Sequence, residues 1–88
     1  MTTAPTTPES ILSRFAAAYA EHGAGNERRL QIGYGGVIQD GFIVAHDGSF
    51  SVCSASNGAR PIRTKHITRI DYSNARYRGT EPLWQREG

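Results

Sequence analysis

The residues best suited to binding chemistry are the positively charged side chains that cluster between positions 60 and 69. Arg60, Arg63, Lys65 and Arg69 flank His66 in the segment RPIRTKHITR. Arginine and lysine attract phosphates in a salt-dependent way, and a histidine ring can stack on a base or bond to its edge. The segment therefore indicates contacts to a single-stranded nucleic acid. The alternative is that these are ordinary exposed cations at a turn, which would have the same sequence.

A second turn, His46-Asp47-Gly48, offers another flat ring. His46 could face a base, but the tripeptide is also typical of a plain β-turn and we favour that interpretation. The candidate nucleic-acid-binding residues are Arg63, Lys65, His66, Arg69 and, with less support from its surroundings, His46.

The charge of the chain is unevenly distributed along its 88 residues. The formal net charge is only +2, yet residues 1–54 carry three arginines against five acids. Residues 55–88 carry six arginines and one lysine against three acids. A positive half on a nearly neutral protein favours a polyanionic partner, and a merely solvated basic surface is the alternative.

Catalysis and metal binding have little sequence support. Cys53 lies inside a predicted strand without a local partner motif, and His22, His46 and His66 lack metal-ligand spacing. No paired carboxylates occur, and the glycines of 33–36 lack the helix that a phosphate-binding loop needs. We therefore expect a non-enzymatic protein with no cofactor and no metal.

The cellular compartment is predicted from cysteine usage and from apolar runs. A single Cys53 cannot form an internal disulfide, which favours a reducing setting. No apolar run approaches the ~20 residues that span a bilayer, and residues 1–8 do not read as a signal peptide. These features predict a cytoplasmic protein.

One amphipathic helix is predicted over residues 8–22, after a flexible tail at 1–7. Thr7 can cap the helix and Pro8 suits its first position. The apolar residues recur at helical spacing and predict packing on a sheet. They are Ile11, Leu12, Phe15, Ala16 and Tyr19.

Five short strands are predicted between residues 28 and 72. The first contains Leu30 and Ile32. The second covers 37–45, where Ile38, Phe42 and Val44 share one parity and Gly41 marks a bend. Tight turns follow from the glycine-bearing dipeptides between these strands. They are Gly35-Gly36, Asp47-Gly48 and Asn57-Gly58.

The remaining strands flank the basic segment. Phe50 and Val52 form one face of the third strand, 59–64 is the fourth, and 67–72 is the fifth. Pro61 predicts a free edge or a bulge, and Lys65-His66 leaves room only for a tight corner. Residues 73–88 are predicted to be an extended tail with Leu83 and Trp84 as anchors. Arg76, Tyr77 and Arg78 in that tail would suit a nucleic acid, a protein partner or a fold-back contact.

A helix followed by five short strands, with a one-turn corner before the last, resembles the Sm-like fold. Within that family it most resembles the bacterial RNA chaperone Hfq, over residues 8–72. The matching pieces are Gly36 in the first turn, Gly41 in a bent strand, Asp47 after it, and Lys65-His66 before the fifth strand.

The resemblance implies a small, strongly bent, five-stranded β-barrel that assembles into a homo-oligomeric ring with RNA at the inner pore. The expected function is therefore non-catalytic binding of single-stranded RNA. The alternative is a barrel that serves as a protein-interaction module, an adaptor or inhibitor of the kind that phages and mobile elements encode, without nucleic-acid binding. In that case the helix or the 77–84 tail would dock the partner.

Overall fold

The structure, a computed structural model, describes residues 7–56, 58–79 and 81–86. It is mainly β, with one N-terminal helix, α1 (Pro8–His22), as the sequence predicts. Thr7 caps α1 because its hydroxyl accepts the Ser10 amide at 3.2 Å while the Ser10 hydroxyl lies 3.3 Å from the Thr7 amide. Of the tail predicted at 1–7, all but Thr7 lies outside the described residues.

Six antiparallel strands form one sheet, in the order β4-β3-β2-β1-β5-β6. Single 3₁₀ turns at Asn26–Arg28 and Thr64–His66 precede β1 and β5. The strands are β1 (Leu30–Tyr34), β2 (Val37–His46), β3 (Ser49–Ser54), β4 (Gly58–Ile62), β5 (Ile67–Tyr72) and β6 (Trp84–Gln85).

Gly41 divides β2 into two halves that pair with different strands. Residues 37–41 pair with β1, and residues 42–46 pair with β3. A Cβ at Gly41 would collide with the backbone carbonyl of Cys53, so only glycine lets β3 approach here. A strand whose two halves pair with different neighbours at a glycine is typical of a sheet that turns a corner there, in agreement with the predicted bend.

The sheet is open, which differs from the five-stranded closed barrel that the sequence predicts. β4 forms one edge, as Pro61 suggests, and β6 forms the other. The sixth strand arises because Trp84 pairs with Ile70 and Gln85 with Arg69, so the C-terminal segment covers part of β5. Among the described residues no pairing joins the two edges and closes the ring of strands.

One apolar core lies between α1 and the two halves of the bent sheet. Phe15 of α1 meets Tyr72 edge-on at 5.8 Å, and Tyr19 stacks on Phe42 at 4.8 Å. The fully buried side chains come from the helix and from three strands or their immediate ends. They are Ile11, Leu12, Leu30, Ile32, Ile43, Ile67 and Ile70.

The apolar side chains of β2 that share one parity, Ile38, Phe42 and Val44, are not the ones buried in the core. Ile38 is 68% exposed, whereas Ile43, of the opposite parity, is fully buried. The strand carries apolar letters at both parities, so alternation could not decide its orientation. Register decides it, because buried Ile32 pairs with Gln39 and thereby directs Ile38 outward.

The C-terminal segment contributes to the core beyond its two-residue strand. Leu83 and Trp84, the two predicted anchors, pack against the core as half-buried side chains. In the part of the chain that the structure describes, no helix is long and apolar enough to cross a membrane.

Candidate nucleic-acid interface

The basic corner, defined here as Arg63, Lys65 and His66, is built on the 3₁₀ turn between β4 and β5. The turn closes when the His66 amide donates to the Arg63 carbonyl at 2.9 Å. All three side chains are exposed. The turn therefore fixes the backbone and leaves two cations and an imidazole facing solvent.

Arg86 holds this backbone from the C-terminal segment. Its Nε donates to the carbonyl of Ile67 at 3.0 Å and its Nη2 to that of Lys65 at 2.8 Å. Its own amide donates to the Thr68 carbonyl at 2.9 Å. A charged donor that binds two carbonyls at the end of the turn rigidifies its backbone, so the corner presents its side chains from a fixed base.

Within the described residues, Arg63, Lys65 and His66 form no ion pair. Every ion pair of the described chain lies elsewhere, as in Arg29 with Asp40 at 2.6 Å. Because no carboxylate of the described residues lies within ion-pair distance of these side chains, their charge remains available to an anion.

A cleft of about 290 Å³ opens beside the corner. It brings Arg63 and Lys65 together with Gly48 of the β2–β3 turn, Ser49 at the start of β3, and Glu9 in the first turn of α1. Two segments that the sequence separates thus share one surface. The remaining lining residues are Phe50, Ile62 and Thr64.

Glu9 is the acidic wall of the cleft. A hydrogen bond from its own backbone amide, and then one from the Thr64 hydroxyl, lower its pKa below the ordinary value of 4.5. The carboxylate is thus stabilised in its charged form at the N-terminus of α1. It gives the cleft a mixed charge, because Arg63 and Lys65 line the same cleft.

His66 does not line this cleft. Its ring lies edge-on to Tyr34, with centroids 6.0 Å apart and an interplanar angle of 79°. Tyr34 ends β1 just before the Gly35-Gly36 turn. The corner therefore has an aromatic neighbour that sequence spacing did not reveal, because the β1–β5 pairing brings it there.

His46 is the last residue of β2, just before the β2–β3 turn, and does not line the cleft. Its side chain is 82% exposed and stands 3.7 Å from the Asp47 carboxylate. Asp47 and Gly48 take φ values of 49° and 81°, and the Ser49 hydroxyl donates to the His46 carbonyl at 2.6 Å. Gly48 and Ser49 line the cleft, whereas His46 and Asp47 do not.

Arg69 faces a different surface from the corner. The register of β5 against β1 shifts between Gly33 and Tyr34, so Thr68 is an extra residue before Arg69. Arg69 then lies on the outer face of the sheet, where its Nη2 is 3.5 Å from the Asp71 carboxylate. Sequence proximity grouped Arg69 with the corner, and the strand pairing separates them.

Sequence reasoning missed Asp71, Tyr34 and Arg86 as members of these surfaces. Asp71 carried a usable signal, since it shares a strand face with Arg69 two residues earlier. Tyr34 and Arg86 gave none, because their roles depend on pairing over long sequence distances. Among the described residues, no three histidine, cysteine, aspartate or glutamate side chains are grouped to hold a metal.

No family model, curated protein or solved structure matches this chain.

Proposed function

We propose that this protein binds single-stranded RNA without catalysis, through the basic corner, as a homo-oligomer of Sm-like architecture. The observation that carries the proposal is the corner itself. Arg63 and Lys65 are exposed cations without an ion-pair partner among the described residues, on a backbone that Arg86 holds in place. Such cations are what the phosphates of a single strand require.

His66 and Tyr34 supply the second requirement, a place for unpaired bases. Single-stranded nucleic acids are bound where bases can stack on aromatic side chains beside a positive surface. The exposed His66 ring can accept a base on its face while Tyr34 supports its edge. Phosphate contact and stacking are thus available within one short segment.

Assembly is part of the proposal because one copy offers few cations. An edge strand presents unpaired amide and carbonyl groups, and β4 is such an edge. Pairing of β4 with another copy would bring several corners together and multiply the positive charge. The Sm-like relationship is supported by the helix, the bend at Gly41 and the one-turn corner at Thr64–His66.

Fluorescence anisotropy with a labelled short single-stranded RNA tests the proposal. We expect Lys65→Ala with His66→Ala to weaken binding at least tenfold, because each lost stack or charged contact contributes about 1–3 kcal/mol. The matched control, Arg14→Ala with His22→Ala, removes one cation and one histidine from exposed positions of α1 and should change little.

Salt dependence provides a second readout of the same titration. The logarithm of the affinity should fall with the logarithm of the salt concentration, with a slope of about −0.7 for each phosphate contact. The corner variant should show a shallower slope than the control. Absence of binding at low salt, or equal binding by both variants, would contradict the proposal.

A second candidate function, a protein-interaction module, has one specific observation in its favour. An apolar groove of about 450 Å³ runs between α1 and the β2–β3 hairpin, with Tyr19, Ile43 and Phe50 among its walls. Grooves of this kind accept apolar partner side chains. Light scattering that gives a monomer or dimer, with no RNA absorbance carried through purification, would favour this candidate.

A further inference from the structure

The outer face of the sheet holds a second polar depression, which shares no lining residue with the cleft beside the corner. It measures about 190 Å³, less than the roughly 300–1,000 Å³ of sites for drug-sized ligands. Such a space suits one flat ring system. Its lining residues come from three paired strands and the segment after β5. They are Gln31, Gly33, Ile38, Arg69, Asp71 and Arg78.

Strand pairing explains why these residues converge. Gln31 pairs with Asp71 and Gly33 with Arg69 across β1 and β5, while Gly33 also pairs with Ile38 of β2. Cross-strand partners project to the same face of a sheet. Gly33 has no side chain, and the Thr68 hydroxyl and the Arg69 Cβ lie beside the position that a Cβ would take.

Asp71 forms the polar base of the depression. The residue is 4% exposed, the only charged residue buried to this extent in the described part of the chain. Its Oδ1 accepts the Tyr72 amide at 2.8 Å, and its Oδ2 lies 3.5 Å from Arg69 Nη2. A carboxylate has about four acceptor positions, so two further donors can be accommodated.

The rim of the depression is cationic and its side wall is apolar. The Arg69 side chain is 54% exposed and its contact with Asp71 is long, so it can turn outward. Arg78 is held across the rim by the carbonyls of Tyr72 and Ser73, at 3.3 and 2.9 Å. Ile38 exposes 68% of its surface and offers a face for an aromatic ring.

We propose that this depression binds a guanine base carrying a phosphate. Guanine presents two adjacent donors, N1–H and N2–H₂, and these match the free acceptor positions of Asp71. Adenine and cytosine place an acceptor beside their amino group, and uracil flanks its single donor with two carbonyls. Those three bases would turn an acceptor lone pair toward a buried carboxylate, which is unfavourable.

The other lining groups complete the fit. Gln31 can donate from its amide to a guanine acceptor, and Ile38 can pack against the ring. The phosphate lies toward Arg69 and Arg78, whose planar guanidinium groups suit its oxygens. A free guanine nucleotide and a guanosine within RNA share this chemistry. The site does not depend on the basic corner.

Titration of the protein with guanosine 5′-monophosphate, followed by NMR and calorimetry, tests the proposal. Adenosine, cytidine and uridine monophosphates serve as comparisons. We expect guanosine monophosphate to bind at least tenfold tighter than the others and to shift the amide signals of Gln31, Gly33 and Asp71. Equal affinity for all four nucleotides, or shifts confined to Lys65 and His66, would overturn it.

Asp71→Asn tests the decisive contact with little change in shape. Its amide oxygen can still accept the Tyr72 amide, while its NH₂ group would oppose the donors of guanine. We expect affinity to fall at least about tenfold. Asp47→Asn, which removes the same charge at an exposed turn, should leave binding unchanged. Retained affinity in folded Asp71→Asn would overturn the proposal.

Ile38→Glu is the second variant, for the case in which Asp71→Asn does not fold. Ile38 is exposed, so the fold tolerates a carboxylate there. The glutamate would repel the phosphate of the nucleotide and crowd the base. Its control is Val37→Glu, at a neighbouring position that is 54% exposed and does not line the depression. Binding unaffected by Ile38→Glu would contradict the assignment.

Two further experiments show whether the bound guanine belongs to RNA or to a free nucleotide, and whether this site is independent of the corner. An oligouridine with a single internal guanosine is compared with one that carries adenosine instead. Tighter binding of the guanosine oligomer than of guanosine monophosphate assigns RNA as the ligand, and tighter binding of the monophosphate assigns a free nucleotide. Binding of neither ligand contradicts the proposed site. Lys65→Ala with His66→Ala should leave guanosine monophosphate binding unchanged.

Discussion

At the residue scale, the bend of the sheet depends on the missing side chain at Gly41. The backbone carbonyl of Cys53 and the Val52 side chain occupy the space that a Cβ would need. Backbone cannot move aside as the end of a flexible side chain can. The sequence indicated a bend at this glycine, but the identity of the facing strand atoms emerges only from the pairing of β2 with β3.

Gly41→Ala should therefore destabilise the protein by roughly 1–3 kcal/mol, the usual range for overpacking a closed site. Urea denaturation followed by circular dichroism measures the free energy of unfolding. The matched control is Gly79→Ala, where the nearest atom to an added Cβ is 3.6 Å away, an ordinary contact. Equal stability of the two variants would show that the approach of β2 to β3 is less close than described.

The lowered pKa of Glu9 leads us to expect that the free energy of unfolding depends on pH. Its folded-state pKa is lowered by its own backbone amide and by the Thr64 hydroxyl. A lowered pKa stabilises the fold above the unfolded value, about 4.5, and this contribution disappears as pH falls through the folded value. The effect is small because the side chain is exposed to solvent.

Chemical denaturation of the wild type and of Glu9→Gln between pH 7 and pH 3 measures this contribution. The stability difference between them should be present at neutral pH and vanish at the acidic end. Thr64→Val should reduce the difference because it removes the second donor. A difference that grows toward low pH would contradict the assigned direction.

At the element scale, local patterns predicted elements better than they predicted faces. Helix α1 and strand β5 have the predicted bounds because capping residues and a regular apolar period mark them. The buried face of β2 could not be predicted from the pattern, since apolar residues stand at both parities and the register with β1 decides it. Strand β6 was missed because a two-residue strand exists only through its partner β5.

Arg86→Ala is expected to loosen the basic corner from a distance in sequence. The side chain donates to the carbonyls of Ile67 and Lys65, so its loss should cost about 1–2 kcal/mol and accelerate hydrogen exchange of the His66 amide. Thermal unfolding and native-state hydrogen exchange measure the two effects. Arg76→Ala, an exposed arginine without such bonds, should leave both unchanged, and equal behaviour of the two would contradict the role of Arg86.

At the scale of the whole molecule, the two edges of the sheet are not equivalent. Among the described residues no strand pairs with the outer side of β4, which is five residues long, while the tail covers part of β5 at the other edge. The sequence predicted the strands, the bend and the basic corner, yet a single chain cannot reveal whether corners converge. Convergence of the corners depends on pairing between copies of the chain. Such pairing uses the exposed backbone of an edge strand and leaves no local sequence motif.

The candidate surfaces also separate at this scale. Residues 60–69 looked like one site in sequence, but the extra residue Thr68 in β5 directs Arg69 to the outer face beside Asp71. The corner and the outer depression can therefore be altered independently. Sequence spacing suggested which residue types could bind a nucleic acid. It could not predict that Arg69 lies on a different face from the corner, because a one-residue shift exchanges the faces of a strand.

Native mass spectrometry of the protein with and without a short single-stranded RNA tests the central claim most directly, because it reports copy number and bound RNA together. We predict a discrete assembly of several 9.6 kDa chains that carries RNA and loses it in the Lys65→Ala, His66→Ala variant. A single 9.6 kDa species that carries no RNA at low salt would contradict the account.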